Sequence, residues 1–417
     1  MQNGATPPAD DQVVSVLDHA TGFFERTTSL RREIHRWPEL GNELPKTRDA
    51  VLADLEDLPL DVTLHESTSG VVALLEGDHP GPTILLRGDM DALDMPEDTG
   101  LEFESRVDGA MHACGHDAHT AMLATAARVL SERTNELHGR VAFMFQPGEE
   151  GHHGARFMLD EGLLDVPARV SGEASPIDAA FAIHITSTMP TGWFATRGGP
   201  IMASADTFRV RVIGKGGHAS EPFRAVDPVP VACEIVQALN TMVTRTINVF
   251  DPGVVTVGRI TAGTTNNVIP EAADIEGTVR ATSEATRRTI HDNIKRVANG
   301  VGDAHGCEVV VDLDIGYPVT TNDDRFADFS LDLANEVAGA GGGRAVRLPN
   351  PIMGAEDFSY VLDELPGSMV FLGATPHDHD LATAAPNHSN RVFFEESAMI
   401  SGVSMYAMAA LRHLTPA

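Results

Sequence analysis

The sequence predicts an α/β fold: a domain with a central, mostly parallel sheet, interrupted by an inserted ferredoxin-like α+β unit. Three observations carry this expectation. Continuous apolar runs alternate with helical stretches between Leu30 and Ile185. From Ala205 the texture changes to strands in which apolar and polar residues alternate, separated by two helices. After Tyr317 elements of the first kind resume, so the first domain is read as split into 1–203 and 317–417, with 204–316 as the insertion.

The elements follow in order. Helical spacing from Leu30 is interrupted at Pro38, which removes a backbone donor and ends a helix before it. VVALLEG and TILLRGDMDAL are apolar runs of the kind a strand buried on both faces shows. A helix over 117–133 follows, with Asp117 as its expected N-cap, then strands beginning at Val141 and Ala179. Strands alternating with helices imply parallel βαβ units. In the insertion, TFRVRVIG, a helix over 227–244, GVVTVGRITAG, ADIEGTVRAT, a helix over 284–301 and CEVVVDLDIG give the order β-α-β-β-α-β. Helix and strand then resume with FADFSLDLANEVAG and MVFLGAT, and a helix over 395–413 closes the chain.

Composition excludes several roles. The chain has 60 acidic and 30 basic residues in 417, a net charge of −30, which disfavours nucleic acid because phosphate binding needs clustered Lys and Arg. Lysine occurs only at Lys46, Lys215 and Lys295, an acidic, lysine-poor pattern that resembles proteins of extreme halophiles; an acidic protein from a GC-rich genome is the plainer alternative. No apolar run approaches the roughly 20 residues that span a bilayer. Met1–Asp11 is polar, without the basic and apolar regions of a secretory signal, so a cytoplasmic location without membrane partners is expected. Cys114, Cys233 and Cys307 are too few and too scattered for a disulfide framework. Cys233, in VACEIVQAL, is expected to be a buried small hydrophobe.

Chemistry concentrates in a few stretches. MHACGHDAHTAML places His112, Cys114, His116 and His119 in one window ahead of a helix. Cys114 and His116 cannot share a helix face at that spacing, but a loop turning through Gly115 can aim both at one point, and a helix N-terminus favours the thiolate that binds metals. A helix start with incidental histidines fits the window equally well. FQPGEEG ends an apolar strand with Glu149 and Glu150, one of which could bind a metal while the other acts as a base; alone it reads better as an acidic turn. His184 closes FAIHI, where a core histidine is the usual explanation. His218 lies in a glycine-rich loop without phosphate-loop spacing. His388 follows Asn387, while His377, Asp378 and His379 read as a solvated loop. Asp89 and Asp91 lack the spacing of a calcium loop.

In combination these stretches are more telling. The order Asp-x-Asp, Cys-Gly-His-Asp-x-His, Glu-Glu-Gly, His, Gly-Lys-Gly-Gly-His-Ala, Asn-Val-Ile-Pro, Gly-x-Glu-Asp-Phe and Asn-His-Ser resembles the M20 metallopeptidase family, from IHRWPELG at Ile34 to the final helix. The match is to its amidohydrolase branch of aminoacylase-like, hippurate and indoleacetyl-amino-acid hydrolases. The resemblance implies two divalent metal ions per subunit, held by Cys114, His116, Glu150, His184 and His388. Manganese, zinc, cobalt and nickel all suit these donors. It implies Glu149 as general base, Asp91 as the acid that orients a ligand, and His218 as the group that stabilises the oxyanion. Asn267 and Arg280 would bind substrate, although an ion pair is an equal role for Arg280. Asp89 stands where other branches carry a ligand histidine, which leaves its role open. The insertion corresponds to a lid that also forms a homodimer. The implied activity is cleavage of N-acyl-amino acids to an acid and a free amino acid; a metallocarboxypeptidase or dipeptidase on the same scaffold is the alternative, and a carrier protein would have no use for Glu149. A nucleobase deaminase is excluded because Cys114 has no cysteine partner nearby.

Overall fold

A strand whose two faces are both apolar needs cover on both sides, and the apolar runs find it in the middle of a sheet. The computed structural model describes residues 11–169, 171–172 and 174–415. Of the segment read as lacking a secretory pattern, residues 1–10 lie outside the described residues. Among the described residues the helices are α1 (Asp11–Gly22), α2 (Phe24–Arg36), α3 (Pro45–Leu55), α4 (His116–Ser131), α5 (Gly154–Asp160), α6 (Pro228–Thr246), α7 (Glu284–His305), α8 (Asp324–Ala340), α9 (Ser359–Glu364) and α10 (Ala398–His413). The strands of the two larger sheets are β1 (Leu60–Leu64), β2 (Val71–Glu76), β3 (His79–Asp89), β4 (His138–Gln146), β5 (Ile177–Pro190), β6 (Phe194–Thr196), β7 (Asp206–Ile213), β8 (Gly253–Ala262), β9 (Ala272–Ala281), β10 (Glu308–Ile315), β11 (Ala345–Arg347) and β12 (Gly367–Thr375).

The chain divides into two compact units: residues 1–199, 321–349 and 360–417, and residues 200–320 with 350–359. The first holds an eight-stranded sheet in the order β1-β2-β4-β3-β5-β12-β6-β11. Its centre is parallel: β3 lies between β4 and β5, and β5 pairs with β12. At one edge β1 and β2 run antiparallel, which makes the sheet mixed. Every residue of β12 is buried, as are the last seven of β3. Helix α4 is buried from His116 to Leu130 and packs against β3 and α10, so polar residues on any of its faces enter the interior. Consecutive strands leave β3 in opposite directions, and the C-terminal ends of β3 and β4 meet where Asp89 pairs with Gln146. Open α/β sheets bind ligands at such a switch point. Strand β5 does not close at His184 as read from the sequence; it continues to Pro190 because β12 keeps pairing with it.

The second unit holds the four-stranded antiparallel order β8-β9-β7-β10, the arrangement of a ferredoxin-like unit. Residues 206, 208, 210 and 212 of β7 are buried while 209 and 211 are exposed, as the alternating sequence requires. Phe208, Val210, Ile275, Ile235, Leu239, Ile290 and Ile294 form its core with α6 and α7. Cys233 is exposed, against expectation. Val231, Ala232, Ile235, Leu239 and Met242 take the inward face of α6, and position 233 falls on the other side.

Candidate metal centre

The Cys114 loop turns into α4 through Gly115, whose φ of 93° lies in the left-handed region; a Cβ there would collide with Ile185. Gly115, not Asp117, is therefore the N-cap. Asp117 lies inside the first turn, fully buried, at 3.0 Å from Arg31 Nε and 2.8 Å from His35 Nδ1. Burial opposes its charge, but Arg31 and His35 outweigh burial and hold the carboxyl well below the usual range. Burial likewise works against charge on His35, yet Asp117 and Glu97 raise the imidazole to about 9.

The Glu149–Glu150 turn is fixed from outside. Gly148 and Gly151 flank it at φ 68° and 84°. The Asp91 carboxylate accepts the backbone N–H of Glu149 on one oxygen and that of Glu150 on the other, each at 2.9 Å. A side chain read as orienting a ligand thus acts on the peptide backbone of the acidic pair. His116 Nδ1 bonds the Asp91 carbonyl at 2.9 Å.

These elements gather the five residues taken as ligands. Cys114, His116 and His184 form one group and Cys114, Glu150 and His388 a second, with the ligand atoms of each within 4.8 Å of one another. Cys114 Sγ belongs to both, 3.4 Å from His184 Nε2 and 3.2 Å from His388 Nε2. His388 Nε2 is 3.2 Å from Glu150 Oε1. Glu149 is buried, with Oε2 3.8 Å from His116 Nε2. His388 has φ 66°, an uncommon conformation for a residue with a side chain.

The donors fit divalent cations. His116 and His184 both spend Nδ1 on a backbone carbonyl, the latter on Ile185 at 2.8 Å, which leaves Nε2 as the lone-pair atom. His116 Nε2 and Glu150 Oε1 are buried and lie among other donor atoms, the first 3.5 Å from Asp89 Oδ2 and the second 3.2 Å from His388 Nε2. The helix N-terminus expected to favour the Cys114 thiolate is outweighed: burial pushes the thiol up and the charge of Glu150 adds to it. Contacts with Cys114 and Glu150 raise His388 to about 10. Protons are held where ligand lone pairs converge, and a cation binds by displacing them.

The other histidines of the window differ from His116 in their surroundings. His119 gives Nδ1–H to Asp89 Oδ1 at 2.5 Å and accepts the Ile185 N–H on Nε2 at 2.7 Å, so both ring nitrogens are spent. Asp89 gives its other oxygen to Arg87 at 2.6 Å. His112 is buried with neither ring nitrogen bonded, and burial lowers it to about 4. His377, Asp378 and His379 are exposed.

His218, Asn267 and Arg280 belong to the second unit. His218 pairs with Val268 on a two-residue ribbon, which brings it beside Asn267. The N–H of Ser220 donates to His218 Nδ1 at 3.1 Å, so the ring proton sits on Nε2. Arg280 is half-buried, and burial pushes its guanidinium down; among the described residues its side chain has no hydrogen bond or ion pair. Sequence reasoning missed Arg31, His35 and the side chain of Asn387. His35 and Asn387 stand in the IHRWPELG and Asn-His-Ser stretches, which were the available signals, and Arg31 lies three residues before the first of them.

Residues 85–412 match the model described as peptidase family M20/M25/M40. The chain is similar to thermostable carboxypeptidase 1 of Saccharolobus solfataricus, 35% identical over 92% of this chain and 94% of the relative. It is 36% identical to an N-acetylcysteine deacetylase of Bacillus subtilis over 84% of this chain and 89% of the relative. The solved structure of the YxeP protein of Bacillus subtilis, described as a dinuclear metal-binding peptidase of the M20 family, matches at TM-score 0.79 and 31% identity, covering 94% of this chain and 99% of that one.

Proposed function

The chain belongs to the peptidase family M20/M25/M40, and from that membership together with the site's geometry we propose a metal-dependent amidohydrolase that cleaves N-acyl-amino acids. The observation that carries this reading is the pair of ligand groups sharing Cys114, with the Glu149 carboxylate beside them. Cys114, His116 and His184 would hold one divalent ion, and Cys114, Glu150 and His388 the other. Manganese, zinc, cobalt and nickel remain the candidates for these thiolate, imidazole and carboxylate donors.

When bound, the two ions lower the pKa of a water and polarise the amide oxygen. Glu149 accepts the proton of the attacking water and passes it to the leaving amine nitrogen. Asp91 keeps the two glutamates in register by holding both of their peptide N–H groups. His218, with its proton on Nε2, is assigned to the developing oxyanion, and Asn267 and Arg280 to the substrate, its carboxylate falling to the guanidinium. That the Arg280 side chain makes no hydrogen bond or ion pair among the described residues, Asp206 acting on it only through its charge, supports that choice over a structural ion pair.

A homodimer formed through the second unit is part of the proposal, supported by β8, a ten-residue strand paired on one side alone. A cytoplasmic location is supported by three free cysteines. Among the described residues no helix is long and apolar enough to cross a membrane. The acidic, lysine-poor composition supports a salt-rich setting, and activity that peaks in dilute buffer contradicts that part.

Similarity to a thermostable carboxypeptidase favours a second reading, cleavage of peptides next to a free carboxylate. Assaying N-acetyl-amino acids, N-benzoyl-amino acids and dipeptides side by side on metal-loaded protein separates the two. Faster turnover of the N-acyl substrates is expected; dipeptides hydrolysed faster would favour the alternative. Glu149→Gln with unchanged turnover would refute the mechanism in either case.

A further inference from the structure

Asn387 stands next to His388 and belongs to neither ligand group, yet its amide is spent entirely on the framework that carries them. Nδ2 donates to the Cys114 carbonyl at 3.1 Å and to the Ile185 carbonyl at 3.0 Å. Oδ1 accepts the Ser187 N–H at 3.1 Å and lies 3.3 Å from the Ser187 hydroxyl, which also bonds the Ala385 carbonyl at 2.7 Å. These partners determine the orientation of the amide: two carbonyls require donors and a peptide N–H requires an acceptor.

The connections are specific to the ligand segments. The Ile185 carbonyl that takes one Asn387 proton also takes the Nδ1–H of His184. The Cys114 carbonyl belongs to the residue common to both ligand groups. The backbone N–H of His388 donates to the Ala113 carbonyl at 2.9 Å, which closes the circuit from the third side. His388 holds φ 66°, a conformation that a residue with a side chain keeps where its surroundings hold it. Three segments far apart in sequence, around 114, 185 and 388, thus meet at one carboxamide. A displacement of any of them changes the 3.4 Å and 3.2 Å separations between Cys114 Sγ and the two imidazoles.

The geometry points to Asn387 as a positioning residue of the metal centre, whose two N–H donors lock the Cys114 and His184 backbones in register with His388. This rests on the reading of Cys114, His184 and His388 as ligands. A plainer role, anchoring the Ser187 segment through Oδ1, predicts a different response to substitution. Asn387→Ala removes every connection. Asn387→Asp has nearly the same shape and keeps an acceptor for the Ser187 N–H, but turns an oxygen toward the two carbonyls.

The test uses the full chain stripped of metal and titrated with cobalt(II), reading the cobalt–thiolate charge-transfer absorption and affinity by chelator competition. Unfolding midpoints of the metal-free proteins are measured alongside. Both variants are expected to bind cobalt about 10- to 100-fold more weakly than the wild type, with a diminished thiolate band. Their metal-free midpoints should stay close to the wild-type value. Wild-type affinity in Asn387→Asp overturns the inference in favour of the Ser187 anchor, and wild-type affinity in both variants overturns it outright. Should Asn387→Ala not fold, Asn387→Asp decides alone. A wild type without a thiolate band refutes the ligand reading and this inference with it, whereas a band present in the wild type and unchanged in the variants refutes the inference alone.

Discussion

The two units bury different things. In the first, Arg31, Arg87, Asp89, Asp91, His116, Asp117, His119 and Glu149 are all inside, each held by a partner or aimed at a cluster of ligand atoms. In the second, the core of the sheet is a layer of aliphatic residues and Phe208; its buried charges include Asp206 with Arg287 at 2.5 Å and His291 at 2.8 Å, and Glu356 and Asp357. Its candidate functional residues stand at the surface, His218 and Asn267 exposed and Arg280 half-buried. A buried charge must be matched group by group, which fixes geometry; an exposed one is matched by water and leaves geometry free. The first unit therefore has the construction of a preorganised site, and the second that of a frame presenting side chains.

The sharpest way to break this contrast is by activity. Glu149→Gln is expected to lower turnover about 10²- to 10⁴-fold while metal content, read by elemental analysis, stays unchanged. His218→Ala in the other unit should reduce turnover with no change in metal content or in the unfolding midpoint. Next in size is stability: Asp117→Ala removes the buried partner that Arg31 and His35 share, leaving them Glu396 and Glu97, and should cost about 3–5 kcal/mol in urea unfolding. A loss below about 1 kcal/mol would mean the first unit's buried charges are not closely matched.

Titration gives a smaller effect with opposite signs for His35 in the first unit and Asp206 in the second. His35 is raised from 6.5 to about 9, so its contribution is complete below about pH 6.5 and lost as pH rises through 9. Asp206 is lowered from 3.8 to about 2, since Arg287 and His291 outweigh its burial. Its contribution is present above 3.8 and lost as pH falls through 2. Hydrogen exchange followed across pH should show the surroundings of His35 loosening on the alkaline side and those of Asp206 on the acid side; His35→Gln should flatten the alkaline limb alone. Smallest is the exposed pair of Arg211 and Asp274, where Arg211→Ala should shift stability by less than about 1 kcal/mol.

Periodicity made the strands and helices of the second unit legible, because alternation over 206–213 and the helical repeat on α6 each encode one buried face. It also held the answer for Cys233, which is one position off that repeat. The first unit was harder to read in detail. Helix α4 is buried on every side, so no apolar stripe indicates that His119 bonds Asp89 while His116 lies between Asp89 and Cys114. The left-handed turn at Gly115 displaced Asp117 from the cap, and only the fold reveals Arg31 and His35 as its partners. Local chemistry left Cys114 and His116 balanced between a metal site and a helix start and read the glutamate pair as an acidic turn; these, like His184 and His388, gained meaning from the family's motif order. Asn387 stands in the Asn-His-Ser stretch, but its role there was illegible, since the carbonyls it bonds are more than 200 positions away, a relation that backbone groups cannot write into a sequence.

The central claim is that the first unit carries a two-ion centre in which Cys114 is common to both ligand groups. Metal content per chain, measured for the wild type and for Cys114→Ala after dialysis against limiting metal, tests it directly. Two ions per chain in the wild type, with both sites emptied or strongly weakened together in Cys114→Ala, is the predicted result. Two ions retained in Cys114→Ala, or the loss of one with the other bound at wild-type affinity, would contradict it.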